Sequence, residues 1–174
     1  LLVTPYYNKP NQKGLISHYS AIADAVNISQ ILYNVPSRTA CDLLPSTVAI
    51  LSNHKNITGI KEAVADEIRI KELVAISKDV NNEFLIFSGD DPTFMKSLLL
   101  GTHGVISVSA NVSPNTHSQI CAAVRNGELE KAKKINDINT NLYRLMFVES
   151  NPIPVKWALY KMNMIKNSIR SPLI

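Results

Sequence analysis

Ile57-Thr58-Gly59-Ile60-Lys61-Glu62-Ala63-Val64, followed after a short polar break by apolar Ile68, Leu73, Val74 and Ile76, is the stretch on which the fold turns. The opening run is short, apolar and β-branched, as a buried strand would be. The apolar residues that follow lie at helical spacing. A strand leading into a helix of this kind is half of a parallel crossover, because parallel neighbours need a long connection between them.

The same pairing recurs in both directions. Towards the N terminus, apolar runs over 28–35 and 1–7 read as strands, the run over 1–7 stopping at the turn-rich Asn8-Lys9-Pro10-Asn11. Leu15, Ile16, Tyr19, Ile22, Ala23 and Val26 mark one helix face, and Pro45 opens a second helix carrying Val48, Ile50 and Leu51. Towards the C terminus, strands are expected over 83–88 and 104–109, with a helix from Asp91-Pro92 to about Gly101 between them. Ser113-Pro114 then reads as an N-cap and first-turn proline for a helix that stops at Asn126-Gly127. Such a series predicts a parallel α/β sheet, and both a doubly wound open sheet and a (β/α)8 barrel satisfy it. Five units are three short of a closed barrel, which typically needs about 250 residues. Beyond Gly127 the pattern is helical, with Leu129, Ala132, Ile135, Ile138, Leu142, Leu145 and Met146 on one face and a further helix over 155–164. The expected division is therefore 1–126 for the α/β part and 127–174 for a helical region.

Composition narrows the function classes. The 174 residues are 45% hydrophobic and 18% charged, as in a globular protein with a packed core. No apolar run reaches the roughly 18 residues that a membrane span needs, and the start of the chain does not read as a signal peptide. The net charge of +4 is spread along the chain with only 6% aromatics, so no nucleic-acid partner is expected. Cys41 and Cys121 stand alone, and His18, His54, His103 and His117 are dispersed. No metal site is indicated; reduced thiols in a cytoplasmic protein and histidines at the surface or at helix ends are expected.

Lys61 is the residue with the clearest chemical meaning. Burial at a strand end disfavours its ammonium form and frees the amine to attack a carbonyl. The plainer alternative is an ion pair with a carboxylate such as Glu62. Tyr33 ends the preceding strand, and Arg38 follows in a turn where its guanidinium could fork onto a carboxylate; an interior tyrosine and a surface arginine are the alternative. Tyr7, Tyr33, Lys61, Gly89 and Asn111 all fall at or beyond the carboxyl ends of expected strands, where ligands gather in α/β folds. Neither GxxxxGK[ST] nor GxGxxG occurs, which removes the usual phosphate cradles.

Four segments in order, Thr4-Pro5-Tyr6-Tyr7-Asn8, Tyr33-Asn34-Val35-Pro36-Ser37-Arg38-Thr39, Gly59-Ile60-Lys61-Glu62-Ala63 and Asn151-Pro152-Ile153-Pro154-Val155-Lys156, closely resemble the dihydrodipicolinate synthase family. The resemblance implies a (β/α)8 TIM barrel with a C-terminal helical extension. It implies a lyase in which Lys61 forms a Schiff base with pyruvate, whose enamine adds to aspartate semialdehyde in lysine biosynthesis. Tyr33 would relay protons, Arg38 would hold the semialdehyde carboxylate, and Tyr7 would complete a neighbouring subunit's relay. The Ile106 carbonyl, with Gly89 nearby, would position the pyruvate unit, and Tyr6 matches a position tied to lysine feedback. No cofactor is implied. The expected assembly is a homo-oligomer, a dimer of dimers. Sister aldolases such as N-acetylneuraminate lyase share the Tyr and Lys, but Ser37-Arg38 favours the synthase; a non-catalytic remnant is the alternative from another class. Two departures stand out. Ala40 occupies a position where the family usually has Gly, and three βα units with a Gly-Thr-Thr-Gly motif are missing, so a fragment of a longer protein is expected.

Overall fold

The computed structural model describes residues 1–80 and 83–174. Among the described residues five parallel strands form one sheet: β1 (Leu2–Val3), β2 (Gln30–Asn34), β3 (Ile57–Glu62), β4 (Leu85–Ser88) and β5 (Gly104–Val105), in the order β1-β2-β3-β4-β5. Each strand lies beside its predecessor in sequence. A doubly wound sheet reverses its order at a switch point, whereas barrel strands follow the chain. The order therefore decides between the two architectures left open by periodicity: the sheet is an arc of a (β/α)8 barrel.

The register explains which residues do what. Leu2, Leu32, Ile60 and Ile86 are partners across successive strands, and so are Val3, Tyr33, Lys61 and Phe87 one step further along. Successive side chains on a strand point to opposite faces, so one row faces the helices and the next faces the concave side. Leu32, Ile60 and Ile86 are fully buried against Leu15, Tyr19 and Ala23 of α1 (Gln12–Ala25), Val48 and Leu51 of α3 (Pro45–Leu51) and Leu73 of α4 (Glu67–Asp79). Burying each such side chain contributes roughly 1.5–3 kcal/mol.

A second core joins α5 (Phe94–Leu99), α6 (Pro114–Arg125) and α7 (Leu129–Leu145) through Phe94, Ile120, Ala123, Ala132 and Tyr143. The last helix, α8 (Ile153–Lys161), buries Pro154 and Val155. Local chemistry sets the helix ends. Asn11 accepts from the Gly14 amide at 3.0 Å and Asp66 from the Arg69 amide at 2.8 Å. Gly127, at φ +76, ends the turn after α6. Among the described residues no helix is long and apolar enough to cross a membrane.

Several boundaries differ from expectation. β1 stops early because Thr4 N donates the last bond, to Tyr33 O, and Pro5 has no amide to continue. β5 is short because Ala110 N donates to Ser107 Oγ and closes a turn where strand was expected. Residues 91–93 form a turn before α5, so that helix begins later than Asp91. Ser113 is not a side-chain cap; its hydroxyl donates to Ser109 O. The segment after Val35 contains a helical turn, α2 (Pro36–Thr39). His117 is buried on α6, not at the surface, because its ring nitrogens bond to Ser109 and Ser113 while its face stacks on Phe94.

Ile60→Ala is expected to cost about 2–5 kcal/mol of stability in urea unfolding, with the m value unchanged, because it opens a cavity in the centre of this row.

Candidate active site

The row that faces the concave side carries the reactive groups. Lys61 Nζ lies 4.3 Å from the centroid of the Tyr33 ring on the adjacent strand. Tyr33, Arg38, Lys61 and Gly89 line one pocket of about 340 Å³. Four of the six expected site residues thus come together. Tyr7 does not: it is 92% exposed and outside the pocket. Ile106 also stands off the lining, its amide bonded to Ser88 O at 2.9 Å. Asn111, expected at a strand end, caps its own turn by donating to Val108 O.

Burial lowers the Lys61 amine below its ordinary 10.5, while the charge of Asp91 opposes that shift. The ion-pair alternative fails on geometry. Glu62 points to the helix side, and none of the ion pairs among the described residues includes Lys61. Gly89 leaves room for the lysine, since a Cβ there would sit 2.9 Å from Lys61 Cε and 3.2 Å from Ala63 Cβ. Tyr33 is pushed up by burial, with the Arg38 guanidinium acting the other way.

Sequence reasoning missed two sets of residues. One is Phe147 and Asn151, which line the pocket together with Asp90 and Val108 from the segments that follow β4 and β5. Phe147 and Asn151 come from the α7–α8 connection and are brought in only by tertiary packing. The other set is a polar network behind the strands. Glu62 accepts from Asn34 Nδ2 at 3.1 Å, from Val64 N at 2.8 Å and from Arg69 Nη1 at 3.3 Å. Arg69 also donates to Asp42 at 2.5 Å and to Leu43 O at 3.1 Å, while Asn34 Oδ1 accepts from Leu43 N at 2.9 Å. Strand parity carried the signal, since Asn34 and Glu62 alternate with Tyr33 and Lys61. The network ties the ends of β2 and β3 to the segment that follows Arg38.

A larger cavity of about 450 Å³ lies between α7 and α8, lined by Leu142, Leu145, Met146 and Trp157 among others. Its wall is almost wholly apolar and offers no nucleophile or base except the carboxylate of Glu149.

The whole of residues 1–174 matches the dihydrodipicolinate synthetase family. The chain belongs to that family. It is 54% identical over 173 residues to a 4-hydroxy-tetrahydrodipicolinate synthase of Pseudomonas syringae pv. syringae, covering 99% of this chain and 58% of that protein. A pyruvate complex of the chloride-inhibited dihydrodipicolinate synthase from Acinetobacter baumannii superposes with a TM-score of 0.92 at 48% identity, over 99% of this chain and 58% of the other. The enzyme from Thermotoga maritima gives 0.94 at 43% identity, over 99% and 59%. The chain thus spans less than two thirds of the length of these relatives.

Ala40, where a family glycine was expected, is left-handed at φ +50, ψ 27, and its amide donates to Pro36 O at 2.8 Å to close α2. A Cβ in that conformation costs about 1–2 kcal/mol. Ala40→Gly is expected to recover about 1 kcal/mol of that, read as a higher urea midpoint; part of the gain is offset by glycine's greater freedom in the unfolded chain.

Glu62 is raised from 4.5 to about 7, chiefly by burial, against its hydrogen bonds and Arg69. A carboxyl raised in the folded state binds its proton more tightly there than when unfolded. Its contribution is fully present below about 4.5 and is lost as pH rises to about 7. Glu62→Gln is expected to flatten that slope, worth about 3 kcal/mol at most, in unfolding curves taken across this range. A variant that keeps the wild-type slope would contradict the assignment.

Proposed function

We propose that the protein built with this chain is a Schiff-base lyase that condenses pyruvate with L-aspartate 4-semialdehyde to 4-hydroxy-tetrahydrodipicolinate. The observation that carries this reading is a half-buried lysine amine, in no ion pair among the described residues, beside a half-buried phenol in a pocket whose rim holds an arginine. Family membership supports the choice of substrates.

The free amine of Lys61 adds to the pyruvate carbonyl carbon; loss of water leaves an imine, and loss of a methyl proton gives the enamine. The enamine carbon forms the new bond to the aldehyde carbon, and Tyr33 supplies a proton to the resulting alkoxide. Attack of the semialdehyde's own amine on the imine closes the ring and releases Lys61. Arg38, exposed at the rim, holds the semialdehyde carboxylate by charge-assisted hydrogen bonds. Gly89 keeps space for the lysine, and the Ile106 carbonyl positions the pyruvate unit. The exposure of Tyr7 and Tyr6 fits surfaces that meet a second copy: Tyr7 completes a neighbour's proton relay, and Tyr6 adjoins a lysine feedback site. The assembly is read as a homo-oligomer, a dimer of dimers, in the cytoplasm.

Borohydride reduction in the presence of pyruvate, read by peptide mass spectrometry on the complete protein, tests the reading. An adduct on Lys61 is expected, absent in Lys61→Ala, with half-maximal trapping below pH 10.5, the ordinary lysine value. No adduct, or an adduct on another lysine, would overturn it. So would turnover of N-acetylneuraminate without turnover of aspartate semialdehyde.

A further inference from the structure

Among the described residues, Val108 is the only one between β5 and α6 that lines the pocket holding Lys61. Its amide makes no backbone hydrogen bond among those residues, so the placing of its side chain falls largely to its two neighbours. Both neighbours meet one buried side chain. His117 of α6 brings Nε2 to 2.9 Å from the Ser109 hydroxyl and to 3.2 Å from that of Ser107. The two hydroxyls are 3.3 Å apart, and Ser107 Oγ also accepts from the Ala110 amide at 2.9 Å. The imidazole is 3% exposed and stacks on Phe94 with the ring centroids 5.3 Å apart, while the Tyr143 ring lies 5.7 Å away. Phe94 and Tyr143 belong to the core shared by α5, α6 and α7, so close packing fixes the plane of the histidine. Geometry also places its proton. Nδ1 lies 2.9 Å from Ser113 O, and a carbonyl only accepts, so Nδ1 carries the hydrogen. In the neutral ring Nε2 is therefore an acceptor, and it faces the two hydroxyls that flank Val108.

We propose that His117 is a positioning residue for the pocket wall: held in the helical core as its Nδ1–H tautomer, it grips Ser107 and Ser109 through Nε2 and so sets Val108 against the pocket. This rests on the reading above in taking that pocket as the place where pyruvate meets Lys61. The rest of the segment is anchored separately, Ile106 N donating to Ser88 O at 2.9 Å and Ser109 N to Asp91 Oδ2 at 2.8 Å. Removing the imidazole acceptor therefore acts on the hydroxyl side of the turn and leaves these backbone ties in place. Ser109 is fully buried, and without Nε2 its hydroxyl has only Ser107 Oγ within hydrogen-bond distance to receive its proton. A buried donor that loses its acceptor is costly, and the turn shifts to satisfy it. Val108 moves with the turn. A wall displaced by a fraction of an ångström changes how a bound carbonyl presents itself to an amine, and attack depends steeply on that geometry.

The test is borohydride trapping of Lys61 over a series of pyruvate concentrations, read by peptide mass spectrometry in the complete protein. His117→Phe keeps a ring to stack on Phe94 and removes both nitrogens. Its half-maximal pyruvate concentration is expected to rise at least about threefold. His117→Gln, whose side-chain oxygen can accept in place of Nε2, is expected to stay within about twofold of the unsubstituted protein. Ser109→Ala is expected to add nothing to His117→Phe when the two are combined, because both remove the same bond. An unchanged midpoint in His117→Phe, an equal rise in His117→Gln, or full additivity in the double variant would overturn the proposal. Long-range proton–nitrogen NMR of the unsubstituted protein, at alkaline pH and without substrate, is expected to find the ring proton on Nδ1. A proton on Nε2 would overturn the proposal as well. Should His117→Phe fail to fold, Ser109→Ala alone is read in its place, with the same rise expected and an unchanged midpoint counting against the clamp. Failure of the Schiff-base reading looks different: no adduct forms on Lys61 even in the unsubstituted protein, and the tautomer then decides the clamp by itself.

Discussion

Lys61 and Glu62 are neighbours on a parallel strand, and the pleat must send one to each face of the sheet. Each is a charge that burial disfavours, so each face has to answer separately. On the helix side the answer is Arg69, reached one turn after the strand, with Asn34 and Asp42 completing the bonding. On the concave side no such partner meets the lysine among the described residues, and its amine lies over the Tyr33 ring. The asymmetry is chemically useful. A hydrogen-bonded carboxyl group behind the strand anchors the backbone, and the amine in front of it is in no ion pair among the described residues.

That arrangement also fixes the surroundings of the amine. The Glu62–Arg69 pair is buried, and removing one partner of such a pair typically costs about 3–5 kcal/mol because the other is left uncompensated. Arg69 reaches the Leu43 carbonyl as well, and Leu43 donates back to Asn34. The segment after β2 is therefore held by the same groups that hold β3. Thr4 extends the tie to β1, its hydroxyl 3.1 Å from that of Thr39 at the end of α2. Arg38 is exposed, but the turn that carries it is pinned on both sides. Its position is a property of the sheet more than of its own side chain.

Much of this was legible in the sequence where the determining forces are local. Alternating apolar runs gave the strand and helix pairs, the prolines at 45 and 114 opened the helices they were expected to open, and Ala40 stands in the left-handed conformation its context suggested. Strand ends were less legible, because backbone pairing can stop while the apolar run goes on. Leu2–Val3 ends ahead of Pro5, which has no amide to donate, and Gly104–Val105 ends at the turn that Ala110 closes onto Ser107. Least legible were the residues assembled from far apart. Nothing near His117 announces that Ser107 and Ser109 will meet it, and nothing near Phe147 or Asn151 points to Lys61. Such contacts depend on how α6 and the α7–α8 connection pack onto the sheet, which hydrophobic spacing does not encode.

The pocket's charge pattern has its own logic. Arg38 and Asp90 sit on the lining as opposite charges, so with Lys61 in its amine form the wall is close to neutral overall. A negative charge placed against Arg38 would upset that balance and favour a positive nitrogen at Lys61, the state that the proposed imine would require. Asp91 is 1% exposed and stands off the lining, its carboxyl group bonded to the Ser109 amide. Asp90 stays on the lining, its carboxylate accepting from the Thr93 hydroxyl at 2.6 Å, while Asp91 is turned away from the pocket. The two adjacent aspartates are separated by the turn that follows β4, not by a strand pleat as Lys61 and Glu62 are: the turn puts Asp90 on the pocket wall and buries Asp91 against the Ser109 amide.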